Sequence, residues 1–190
     1  MAKGPVGAGE RWNTGVMDSQ TARPDGFLWI GRLLEAGLED PGAWQVSQAR
    51  TMLPAYQVMF AIARQDLDAG GDGIEPLFNV ALAAALVAKH LLIQASAQYG
   101  KDPREVAVAL AASEGTQVNL ARLLPVLFDH ADALGDVLID VLGQDPEEFY
   151  DLLGSLTECC CVLVLGAADR NGVTPTEVVQ RFQESAEANT

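Results

Sequence analysis

Positive charge is the first thing this sequence is short of. Twelve Lys and Arg face 26 Asp and Glu, a formal net charge of −14 over 190 residues. Such a field repels polyanions, so direct binding of DNA or RNA is not expected, and an anionic membrane surface is disfavoured for the same reason. Aromatic residues are also scarce, at 6%. The only cysteines are one adjacent triplet, Cys159, Cys160 and Cys161, which is no disulfide framework and points to a reducing, cytoplasmic setting.

Alternating strand patterns are missing. The apolar runs are interrupted as well. Leu77 to Ala88 is followed by Lys89 and His90, and Cys159 to Ala168 is preceded by Glu158. Neither run reaches the roughly 20 residues that cross a bilayer, and both read as buried helices. No signal peptide is expected, because the first sustained apolar stretch begins at Phe27.

Catalytic signatures are absent too. The chain has no G-x-S-x-G, no Walker loop, no dinucleotide fingerprint on a strand and no H-E-x-x-H. No catalytic residue, cofactor or metal is expected from the sequence.

What is present is helical punctuation. Gly, a capping residue and Pro recur at Gly37 to Asp40-Pro41, Gly100 to Asp102-Pro103, Gly143 to Asp145-Pro146 and Gly172 to Thr174-Pro175. Gly closes one helix in the left-handed conformation, and the Asp or Thr oxygen takes an orphan N–H. Pro then occupies the first helical position, where its missing N–H costs nothing. Glu105, Glu148 and Glu177 stand where a capping box requires them, with Val173 and Val178 as a staple around the last.

These corners predict helices over 27–37, 41–53, 54–68, 76–99, 103–112, 117–142 with a break at Pro125, 146–153, 155–170 and 175–187. With 49% hydrophobic residues the chain has enough apolar mass for a sizeable core. The expected fold is all-α: a compact, orthogonal or irregular bundle of about seven to nine helices. Its axis is two nearly polarity-free helices, Leu77–Ala97 and Leu156–Ala168. Small residues from Ala81 to Ala97 would let neighbours approach closely. Residues 1–25, rich in Gly and Pro, read as a flexible arm, and 26–190 as one helical domain.

The clearest surface feature is an acidic stripe. Asp129, Asp132, Asp136 and Asp140, spaced by three, four and four, share one helical face opposite Leu127, Ala131, Leu134, Leu138 and Val141. Between Arg122 and Arg170 there are ten acids and no Lys or Arg. The stripe reads either as a solvated outer face or as a docking face for a basic partner. Trp12, alone in the arm, is a candidate anchor into a groove on another surface.

Three weaker candidates remain. The turn from Asp66 to Glu75 looks superficially like a calcium loop, but Gly70 stands where an oxygen ligand is needed and Asn79 falls where the closing bidentate Glu belongs. Three adjacent helical thiols point about 100° apart and cannot converge on one ion. His90 and His130 have no supporting motif.

The favoured reading is a non-catalytic interaction or assembly protein, with a protein partner or self-association and with neither nucleic acid nor membrane. One alternative is a helical small-molecule binder or enzyme with an apolar cavity beside the Ala-rich helix, walled by His90 or the cysteines. Another is an acidic nucleic-acid mimic, with its charge between Asp129 and Glu158.

Overall fold

The computed structural model describes residues 23–39, 53–129 and 131–187. Eight helices run through them: α1 (Pro24–Glu39), α2 (Pro54–Asp68), α3 (Glu75–Gln98), α4 (Pro103–Ala111), α5 (Val118–Val126), α6 (Ala131–Gln144), α7 (Pro146–Asn171) and α8 (Pro175–Glu187). They pack together as an all-α bundle with no strand among the described residues. The predicted helix at 41–53 apart from Leu53, the arm with Trp12 as far as residue 22, and His130 lie outside the described residues, while Pro24 and Asp25, expected in the arm, belong to α1. The corner at Gly37 to Pro41 lies outside them in part.

The corners work through their side chains. Asp102 accepts the backbone N–H of Arg104 at 2.8 Å, and Asp145 accepts that of Glu147 at 2.9 Å. Gly100 and Gly172 adopt φ of +61° and +63°, closing α3 and α7 in the left-handed region. At the last corner the capping box is complete. The backbone N–H of Thr174 donates to Glu177 Oε2 at 2.7 Å, and that of Glu177 donates to Thr174 Oγ1 at 3.3 Å.

Three expectations are corrected. Gly143 ends nothing, because α6 continues through it to Gln144. Glu148 turns away from its cap and accepts from Asn119 Nδ2 at 2.9 Å, tying α7 to α5. The two helices expected on either side of Gly154 are one helix, α7. Gly154 is there for packing: a Cβ would lie 2.5 Å from the hydroxyl oxygen of Tyr56 on α2. The break placed at Pro125 does occur, since α5 ends at Val126 and α6 starts at Ala131.

Helices α3 and α7 pack on each other and form the axis. Around them, α1 lies against both and against α2 and α8. Helices α4 and α5 pair off the far end of α3, and α6 folds back along α7. Ala81, Ala83, Ala84, Ala85 and Ala88 are completely buried, as are Leu152, Leu153, Leu156 and Val164. Ala95 is only half-buried and Ala97 is exposed, so the close approach is confined to the first two-thirds of α3.

At 24 and 26 residues, α3 and α7 are long and apolar enough to cross a membrane, contrary to the estimate from the interrupted runs. Each nevertheless has most of its apolar stretch covered by other helices.

The entry to α1 is pinned to α3. The N–H of Arg23 donates to Asn79 Oδ1 at 2.7 Å, and Asn79 Nδ2 donates to Asp25 Oδ1 at 2.7 Å. Arg23 also pairs with Glu75 at 2.6 Å. Gly26 permits the crossing, because a Cβ there would sit 2.8 Å from the carbonyl oxygen of Asn79.

Candidate functional site: the acidic stripe and its neighbours

Helix α6 carries the stripe because its apolar residues face inward. Leu138 and Val141 are fully buried and Leu134 nearly so, which turns Asp136 and Asp140 out to solvent. Asp129 belongs to the turn before α6 and not to the same helix. The side chain of Asp132 is outside the described set.

Two of the three described carboxylates have a cationic neighbour. Arg104 on α4 pairs with Asp129 at 2.7 Å, and the Asp129 side chain is only 25% exposed. Arg122 on α5 reaches Asp140 at 2.6 Å, and this hydrogen bond, assisted by Gln144, holds the Asp140 carboxyl below its ordinary value. Asp136 is the fully outward member. The stripe is therefore less negative than its sequence suggests, which lowers its resemblance to a nucleic-acid backbone. Sequence spacing alone does not bring Arg104 or Arg122 to it.

Spacing does reveal one residue that the amphipathic reading passed over. Ile139 lies three positions after Asp136 and beside Asp140, and it is 39% exposed. The outward side of α6 is thus Asp136, Ile139 and Asp140: two carboxylates with an exposed aliphatic side chain beside them.

The remaining candidates are structural. Asp66 Oδ2 accepts from the N–H of Gly73 at 2.9 Å, and Asp72 Oδ1 accepts from the N–H of Ile74 at 2.9 Å. Both carboxylates order the turn that starts α3. Among the described residues no three His, Cys, Asp or Glu side chains converge to hold an ion.

The cysteines diverge around α7. Cys160 Sγ donates to the carbonyl of Ala84 on α3 at 3.4 Å, and Cys161 Sγ donates to that of Leu34 on α1 at 3.8 Å. Burial raises all three thiols: Cys159 to about 11, Cys161 to about 12, and Cys160 well above the usual range. Glu158 adds to the effect at Cys159 and Cys161. They behave as small apolar side chains.

His90 is exposed. It sits 2.8 Å from Gln94 Nε2 and edge-on to Phe182. Ala81, Ala83, Ala84, Ala85 and Ala88 of α3 are wholly buried against their neighbours.

Comparison of the chain with protein-family models, with curated proteins and with solved structures gives no match in any of the three.

Proposed function

We propose that this protein acts by contact, as a docking or assembly subunit that presents an acidic face to a basic protein partner. The observation that supports this reading is the outward side of α6, where Ile139 lies exposed beside Asp136 and Asp140. Carboxylates of this kind steer a basic partner toward the surface, while the aliphatic side chain is removed from water once the partner has docked. Arg122 keeps the Asp140 carboxylate in a fixed position, and Arg104 does the same for Asp129 in the turn before α6.

The net charge of −14 acts in the same direction at longer range. The reading extends to the N-terminal arm with Trp12 as a second point of attachment. The setting it implies is cytoplasmic.

The test is affinity capture from native host extract with intact-complex mass spectrometry. The chain should retain a defined basic partner, and the double variant Asp136→Lys with Asp140→Lys should lose it. Identical retention by both proteins would refute the acidic face as the docking element. Removal of residues 1–22, which spares the Arg23 and Asp25 contacts to α3, should weaken the complex and leave helicity unchanged.

A further inference from the structure

Helix α2 turns a strip of apolar surface outward. Steps of four and three along a helix return to the same side, and here they connect Phe60, Arg64 and Leu67. Phe60 is 41% exposed and Leu67 56%. The Phe60 ring lies against Tyr150 of α7, with centroids 5.5 Å apart, so the apolar surface continues beyond α2. Arg64, between the two, approaches Asp68 at the long distance of 4.0 Å, and its side chain is 84% exposed.

The chain ahead of α1 starts close to this strip. Arg23 pairs with Glu75 at 2.6 Å, and its N–H is held by Asn79. Two residues before Glu75, a Cβ on Gly73 would lie 3.2 Å from Leu67 Cγ. Arg23 therefore lies within about 20 Å of Leu67, by ordinary backbone and side-chain dimensions. The stretch from Trp12 to Arg23 spans roughly 36 Å when extended. Trp12 thus reaches Leu67 and also Phe60, about 10 Å further along α2.

We propose that Trp12 of the same chain packs on this strip, its ring between Phe60 and Leu67 and over the Arg64 guanidinium. The fold already contains such a pair, since Arg32 lies over the Trp29 ring at 4.7 Å. Charge favours this occupant over others. Ahead of Arg23 the chain carries two bases, Lys3 and Arg11, against two acids, Glu10 and Asp18, so it meets little repulsion. A second copy would bring another −14, and a basic helix would set its cations against Arg64. A partner that takes Trp12 must first displace it from α2, whereas the acidic face of α6 is untouched by the contact.

Tryptic cleavage after Arg11 in the full-length protein, followed by mass spectrometry, reads the undocked fraction. Leu67→Ser should speed that cut about fivefold or more, with the far-UV dichroism unchanged. Phe60→Ser should act in the same direction. Val118→Ser, on α5 at a position 73% exposed, should leave the rate as it was. In a chain carrying Trp29→Phe and Trp44→Phe, Trp12 emission should lie to the blue of that from a peptide of residues 1–22. Leu67→Ser should move it to the peptide's position.

Equal cleavage rates in the unaltered chain, Leu67→Ser and Phe60→Ser overturn the inference, as does peptide-like emission before Leu67 is changed. Protection of Arg11 that grows with protein concentration, alongside a dimer in sedimentation, would place Trp12 on a second copy and overturn it too. Each of these outcomes is separate from loss of the basic partner by Asp136→Lys with Asp140→Lys, so the two readings fail independently.

Discussion

Tyr56 on α2 donates its hydroxyl to Asp151 Oδ1 on α7 at 3.1 Å, lying across Gly154 as it does so. The glycine, the ring and the carboxylate form one contact, in which the small residue makes room for the ring that reaches the acid. Helix α7 runs unbroken through this contact, where the sequence invites a break.

A methyl group at Gly154 must displace that ring, because it would sit 2.5 Å from the hydroxyl oxygen. Gly154→Ala should therefore destabilise the fold by about 1–3 kcal/mol, the usual cost of overpacking. Gly166→Ala on the same helix meets only the movable tip of Arg170 at 3.0 Å. It should stabilise by up to about 1 kcal/mol through helix propensity. Urea denaturation of the two variants gives the comparison, and equal effects in the same direction would refute the packing role of Gly154.

The thiols give a second prediction. Burial disfavours the thiolate at all three cysteines. In the native protein alkylation at pH 8 should be slow, and all three thiols should react promptly in denaturant. The sign with pH follows: the unfolded chain releases these protons near the ordinary value of 9.0, whereas the folded chain retains them. Stability should be unaffected below about pH 9 and decline above it. The midpoint of urea unfolding between pH 7 and 10.5 measures this, with a Cys159→Ala, Cys160→Ala, Cys161→Ala variant losing the alkaline decline that the thiols contribute.

Glu177 gives the opposite dependence. The backbone N–H of Thr174, followed by its hydroxyl, lowers the Glu177 carboxyl below its ordinary 4.5. The fold thus favours the ionised form. The contribution is fully present above about pH 4.5 and is lost as pH falls through the lower, folded value. Glu177→Gln should flatten the acid side of the thermal-stability profile in that window. Thr174→Ala should cost about 1 kcal/mol at neutral pH, as loss of a cap does.

Asn79 gives a fourth. It is 8% exposed and joins the N–H of Arg23 to the carboxylate of Asp25. Asn79→Ala removes both bonds at once, and because Arg23 and Asp25 are exposed to water the cost is that of the lost hydrogen bonds, about 0.5–1.5 kcal/mol each. Hydrogen exchange should show the first turn of α1 opening in this variant before the rest of the helix. Unchanged exchange at Gly26 and Phe27 would contradict the pinning role.

The helices were legible where local chemistry decides them. Pro103, Pro146 and Pro175, each behind a capping oxygen, mark helix starts that the structure keeps, and the apolar runs from Leu77 and Leu156 mark the axis. Tertiary contacts account for what sequence reasoning missed. Gly154 reads as a breaker until Tyr56 from α2 is seen beside it, and Glu148 reads as a capping residue until Asn119 from α5 claims it.

The stripe shows the same limit. The spacing of Asp136 and Asp140 identifies an outward face. The partners Arg104 and Arg122 come from other helices, and no periodicity within α6 announces them. Ile139 was within reach of a simple count along the helix, but a division into apolar and acidic faces assigns it to neither.

Enclosure of α3 and α7 by the other helices underlies every docking surface described, and native-state hydrogen exchange in detergent-free buffer tests it most directly. Amides from Ala81 to Ala88 and from Leu152 to Val164 should exchange last, through global unfolding, with the exposed turns at Gly70 and Gly115 exchanging first. Exchange at Ala81 to Ala88 as fast as at those turns, or protection there only after detergent is added, would contradict the account.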